Sequence, residues 1–270
     1  MKPRLIFAIA VNTFREAVRD RVFYNLLLFA VLLVGTSLVI GQLAAGQDVK
    51  IIKDLGLASS LLFGVGIAIF IGIQLVAREV ERRSVYVTLA KPVTRSAFLF
   101  GKYLGLLLTL AVNMAVMTAA LMTVLYVYWR VTPPNLQAVW TAPAVDPALL
   151  GALLLIYIEL AVVTAIALLF STYSSALLAA TFTTAVWVAG HFVGDLRTLE
   201  LVGASEGTAS LGRVVSWVLP NLALFDVKAE VVHGVPVPLA QIAYAIAYGC
   251  TYAAALLLLA VAVFQRRDFK

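Results

Sequence analysis

Few side chains in this sequence are of types that do chemistry, and their spacing is sparse. His191 and Asp195 stand four residues apart, which puts both on one face of a helix. An imidazole beside a carboxylate can hold a metal or relay a proton, yet two ligands fall short of a metal centre. A polar pair near the outer end of a membrane helix fits the spacing better. Cys250 is the chain's one cysteine and lies in an apolar run, so no intrachain disulfide can form. Gly101-Lys102 is the dipeptide of a phosphate loop. Such a loop also needs a glycine five residues before its GK glycine and Ser or Thr after the lysine. Ser96 and Tyr103 occupy those places, so the motif is broken. No H-E-x-x-H pattern occurs. The sequence therefore carries no catalytic set and no nucleotide, metal or cofactor site of its own.

Glu159 is the acid set deepest in an apolar stretch. An ionisable group at that depth is costly and must face other helices or a wet cavity. A place on a transport pathway and a structural hydrogen bond both fit it. Asn113 and Gln74 pose the same question more mildly, and Asn113 joins Glu159 as a pathway candidate.

The elements that carry these residues are membrane helices. The chain is 63% hydrophobic and 13% charged, with a mean hydropathy of +1.00. Soluble domains carry about 25% charged residues, so a large soluble core is excluded. The net charge of +6 sits beside apolar runs, which points to a membrane surface rather than nucleic acid. A span needs about 20 apolar residues. Six stretches qualify: 22–45, 55–77, 103–128, 148–170, 176–194 and 239–264. The fourth and fifth are joined by a five-residue polar turn, Ser171 to Ser175, and form an antiparallel hairpin. Residues 3–21 precede them with Phe7, Val11, Phe14 and Val18 on one face, the pattern of an amphipathic helix lying in the headgroup plane. No signal peptide is legible, because charges follow the short apolar piece from Leu5 to Val11 without a cleavage site. The fold class is thus all-α and polytopic, a single domain over 1–270. Residues 129–147, with four prolines, read as a rigid extended loop. Residues 195–238 form a longer outer loop whose apolar patch Val214–Leu219 is too short to span and suits a re-entrant or surface helix.

Charge sets the orientation. With both termini inside, the inner segments hold 14 of the 20 basic residues and the outer segments the other six. That asymmetry places both termini in the cytoplasm. Six of the 14 crowd one inner segment, residues 78–102: Arg78, Arg82, Arg83, Lys91, Arg95 and Lys102. Glu79, Glu81 and the first arginines extend the incoming helix beyond the bilayer. Pro92 disfavours helix at Lys91, and Thr94 can cap the next helix. The result is a compact elbow. Gly101 and Gly105 follow it as a small-xxx-small pair that lets another helix approach closely.

The elbow sequence resembles that of ABC-2 type transporter permeases. The resemblance rests on Glu79 to Arg83, then Thr88-Leu89-Ala90-Lys91-Pro92-Val93-Thr94-Arg95, then Gly101-Lys102-Tyr103-Leu104-Gly105. Leu219-Pro220-Asn221 with Phe225-Asp226, and Asn12-Thr13-Phe14-Arg15-Glu16 with Arg19-Asp20-Arg21, add to it. The chain departs at Arg83-Ser84, where many relatives have Gly-Thr. It is similar to the small permeases that pair with a separately encoded ATPase, among them those of nitrous oxide reductase maturation. The resemblance implies an ATP-driven transporter of the bacterial or archaeal cytoplasmic membrane that works in export. It implies a second permease subunit, usually an identical one, an ATPase dimer that binds ATP and magnesium, and no nucleic-acid partner. It also implies an elbow that serves as the coupling helix through Glu79, Glu81, Arg82, Arg83, Val85, Tyr86, Leu89, Pro92 and Arg95. A secondary transporter and a non-translocating membrane anchor for an ATPase are the alternatives that the sequence leaves open.

Overall fold

The computed structural model describes residues 3–42, 47–81, 94–138, 140–194, 212 and 215–266. Among the described residues every regular element is helical. The elements are α1 (Pro3–Val18), α2 (Arg21–Gln42), α3 (Asp48–Glu81), α4 (Arg95–Val131), α5 (Pro134–Gln137), α6 (Ala148–Ser171), α7 (Ala176–His191), a 3-10 turn (Leu222–Phe225), α8 (Lys228–His233) and α9 (Leu239–Arg266).

Four of them are long and apolar enough to cross a bilayer: residues Asp48–Gln74 of α3, then α4, α6 and α9. α2 contributes a shorter apolar segment, Leu26–Ser37. α7 has 16 residues, about 24 Å at 1.5 Å per residue, less than the ~30 Å hydrocarbon core. The core sits where α3, α4 and α6 converge, and α6 is its centre: Leu149, Leu155, Leu160, Val162, Val163 and Leu168 are fully buried. With apolar residues on every side, α6 is the helix that the sequence marks for burial all round.

Two loops differ from expectation. α4 continues through Tyr128 to Val131, and α5 follows at once, so the proline-rich stretch is partly helical. Pro134 suits the first turn of α5 because its missing N–H has no partner there to lose. Ala142 and Ala144 then turn inward and are buried. At this end of the bundle the Tyr128 hydroxyl donates to Asp48 Oδ2 at 2.8 Å and its ring stacks on Trp140 at 6.0 Å. Lys53, counted above as a loop charge, belongs to α3 and is fully buried. Its ammonium lies 3.7 Å from Asp146, whose other oxygen accepts from the Ala148 N–H at the start of α6.

Within 195–238, residues 215–218 form a helical turn. The Tyr252 hydroxyl, at the midpoint of α9, donates to the Val218 carbonyl at 2.7 Å, and the Tyr248 hydroxyl accepts from the Asn221 N–H at 2.9 Å. Leu222 and Phe225 are buried just beyond, while Trp217 is 86% exposed. The stretch therefore lies along α9 level with its middle, burying Leu222 and Phe225 while Trp217 and Val218 stay outside. A side chain at Gly190 would strike Leu222 and the Pro220 carbonyl, so glycine permits this close approach.

Candidate functional site

Two places gather the side chains that matter. The first is the elbow end of the bundle. α3 runs on to Glu81, so Glu79 and Glu81 sit in its last turn. Arg82, Arg83, Val85, Tyr86, Leu89 and Pro92 lie outside the described residues, as do Lys91 and the break expected there. Thr94 caps α4, with its hydroxyl accepting from the Ala97 N–H at 3.3 Å. Arg95 opens α4 and reaches across to the end of α9. Its Nη1 donates to the carbonyls of Phe264 and Gln265 at 2.8 and 2.9 Å. Its guanidinium also lies over the Phe264 ring at 5.9 Å. Phe264 stacks on Phe98 at 6.2 Å within a small separate core that includes Leu99, Leu169 and Ala260. Helix C-termini carry unsatisfied carbonyls and partial negative charge, and a cation there answers both.

α1 lies against the next two turns of α4. The face that packs is Ala10, Thr13 and Ala17, which are buried, while Phe7 is 71% exposed. The apolar stripe read from the sequence is thus offset from the packing face. Small residues pack because Gly101 and Gly105 let the two backbones touch. A Cβ at Gly105 would lie 2.6 Å from the Ala10 carbonyl oxygen, and one at Gly101 would lie 2.6 Å from Ile9 Cβ. Lys102, between the glycines and almost wholly buried, is 3.7 Å from Glu16 of α1 and covers the Phe98 ring. The glycine pair was legible in the sequence, and α1 is its partner.

The second place is halfway along α6. Glu159 is the twelfth of its 24 residues, about 17 Å from either end. It is 1% exposed and faces α7. The Trp187 indole N–H donates to Glu159 Oε1 at 2.9 Å, and His191 Nε2 lies 3.4 Å from the same oxygen. The Trp187 and His191 rings meet edge to face at 5.4 Å. This corrects the sequence reading of His191. α7 is short, so its last residue sits level with the middle of α6 and finds Glu159 there. Asp195 lies outside the described residues. Trp187 escaped notice because an aromatic in an apolar run looks like packing. Its spacing of four from His191 was the available signal.

Asn113 is fully buried in α4, and among the described residues neither of its amide atoms has a hydrogen-bond partner. No hydrogen bond joins it to Glu159, so the two pathway candidates are separate features. Among the described residues no three His, Cys, Asp or Glu side chains converge as a metal would require. The geometry offers buried hydrogen bonding and charge pairing between helices.

The sequence profile of the ABC-2 family transporter proteins matches residues 7–269. Among curated proteins, none matches the chain.

Proposed function

We propose that this chain, which belongs to the ABC-2 transporter family, is the permease subunit through which a separate ATPase drives a substrate across the membrane. The match over residues 7–269 carries this reading. It makes the chain a multi-pass membrane component of an ABC transporter, whose partners are an ATPase and the lipid bilayer. The finer reading has α2 and α7 as spans beside the four long helices, giving six. Both termini face the cytoplasm, α1 lies along the inner headgroups, and the stretch around Val218 re-enters from outside. Two such subunits pair over an ATPase dimer that holds ATP and magnesium, and the direction is export.

Residues 78–102 are the coupling elbow in this reading. Glu79, Glu81, Arg82, Arg83, Val85, Tyr86, Leu89 and Pro92 meet the ATPase, and Arg95 anchors the exit. What supports it is the stiffness of the elbow's two arms. α3 continues unbroken to Glu81, and α4 starts at a capped Thr94 with Arg95 fastened to α9. A push delivered between such arms moves α3, α4 and α9 as rigid bodies rather than being absorbed. Glu159 and Asn113 are the pathway candidates. The test is co-expression with the ATPase subunit and reconstitution in liposomes. The reading expects a stable complex whose ATP hydrolysis responds to transported substrate. An ATPase that neither binds nor responds to the permease would refute it.

A further inference from the structure

Both ring nitrogens of His191 face acceptor oxygens. His191 Nδ1 lies 3.0 Å from the Trp187 carbonyl oxygen. A carbonyl oxygen only accepts, so this bond places a hydrogen on Nδ1. A neutral imidazole with its hydrogen there presents a bare lone pair at Nε2. That atom faces Glu159 Oε1. A lone pair against a carboxylate oxygen repels. A proton on Nε2 turns the contact into a charge-assisted hydrogen bond to the carboxylate. The Trp187 N–H donates to the same oxygen.

Among the described residues little else near the pair is charged. Glu159 is the only ionisable carboxylate of α6, and α7 has no charged residue besides His191. α3, which packs beside α7, carries no charge between Asp54 and Arg78. The 3-10 turn against α7 is LALF. α8 brings Lys228, whose charge acts on the imidazole and which is itself 3.6 Å from Asp226. An ionised carboxylate at this depth without a counter-charge is strongly disfavoured.

We propose that Glu159 and His191 form a proton-binding site halfway along α6, in which one shared proton holds the His191 end of α7 against α6. Glu159 is sealed at 2% side-chain exposure, whereas His191 is 23% exposed and gives the proton its way in and out. Loss of the proton leaves the imidazole one N–H for two acceptors, Glu159 Oε1 and the Trp187 carbonyl, so one contact turns repulsive and the end of α7 loosens. Gly190, one residue earlier, is the contact point for Pro220 and Leu222, so the segment around them loosens with it. The lock is present at low pH and is lost as pH rises.

The proposal is independent of the coupling elbow and is tested on the permease alone. Trp129, Trp140 and Trp217 are replaced by Phe, which leaves Trp187 as the single indole. A protonated imidazole at ring-contact distance quenches indole emission. Emission is expected to rise in one step with increasing pH between about pH 5 and 8. His191→Gln should remove the step, and Glu159→Gln should weaken proton binding by about tenfold or more, moving the step to lower pH. The thermal unfolding midpoint should fall with rising pH through the same range in the parent and not in His191→Gln. A flat parent titration overturns the proposal even if neither variant folds. So does an unchanged midpoint in Glu159→Gln, or the same pH dependence of unfolding in His191→Gln and parent.

Discussion

Replacing Gly105 by Ala puts the contact between α1 and α4 under direct strain. In an open helix position this change removes backbone freedom from the unfolded chain and stabilises by about 0.5–1 kcal/mol. Gly35 of α2 is such a position, because a Cβ there meets nothing within 4 Å. At Gly105 the new Cβ would sit 2.6 Å from the Ala10 carbonyl oxygen and 2.6 Å from Thr13 Cβ. Ordinary contact begins at 3.4 Å, so α1 must withdraw by about 0.8 Å, and neither atom is the yielding tip of a long side chain. Overpacking of this kind costs about 1–3 kcal/mol. The two substitutions should therefore differ by about 1–3 kcal/mol or more, with Gly35→Ala at or above the parent and Gly105→Ala below it. Gly101→Ala should fall with Gly105→Ala, since it meets Ile9 Cβ and Cγ2 at 2.6 Å and the Ile6 carbonyl at 3.2 Å. The assay is the thermal unfolding midpoint of the purified permease in one detergent, with all three variants side by side. If Gly105→Ala matched or exceeded Gly35→Ala, α1 would not rest on this face of α4.

Arg95→Ala should lower stability by about 1.5–3 kcal/mol, the range for hydrogen bonds from a charged donor, and Arg95→Lys should recover part of it. Equal unfolding midpoints for Arg95→Ala and the parent would mean that the link to the Phe264 and Gln265 carbonyls contributes nothing. Single cysteines at Ser84 and Ser210, placed in a Cys250→Ala background, should label from opposite sides of the membrane, as the 14-to-6 charge split requires. Labelling from one side only would contradict the six-span topology.

Local patterns made much of this fold legible. The four long apolar runs are helices, α3 extends to Glu81, and Thr94 caps α4. These depend on hydropathy, capping and proline placement within a few residues. What escaped depends on contacts between distant segments. Lys53 looked like a boundary charge because its counter-charge, Asp146, lies far along the chain. His191 was paired on paper with its neighbour in sequence, whereas its partner stands 32 residues earlier on another helix (191 minus 159). Gly101 and Gly105 announced a close approach without saying to what. Arg95 stands among the coupling residues that the resemblance implies, and its bonds to the end of α9 have no local signature.

The account turns on whether residues 78–102 receive the ATPase. Val85 and Leu89, four apart, share a face in any helical part of the elbow and are its apolar candidates for a groove on the partner. Changing both to Asp would put two charges where an apolar seat is expected, each costing on the order of several kcal/mol if left unpaired. The measurement is the amount of ATPase that co-purifies with the tagged permease, normalised to permease inserted in the membrane. The account predicts normal insertion and loss of the ATPase from the double variant. Recovery of the ATPase at the parent level would contradict it, and the elbow would not be where this transporter is driven.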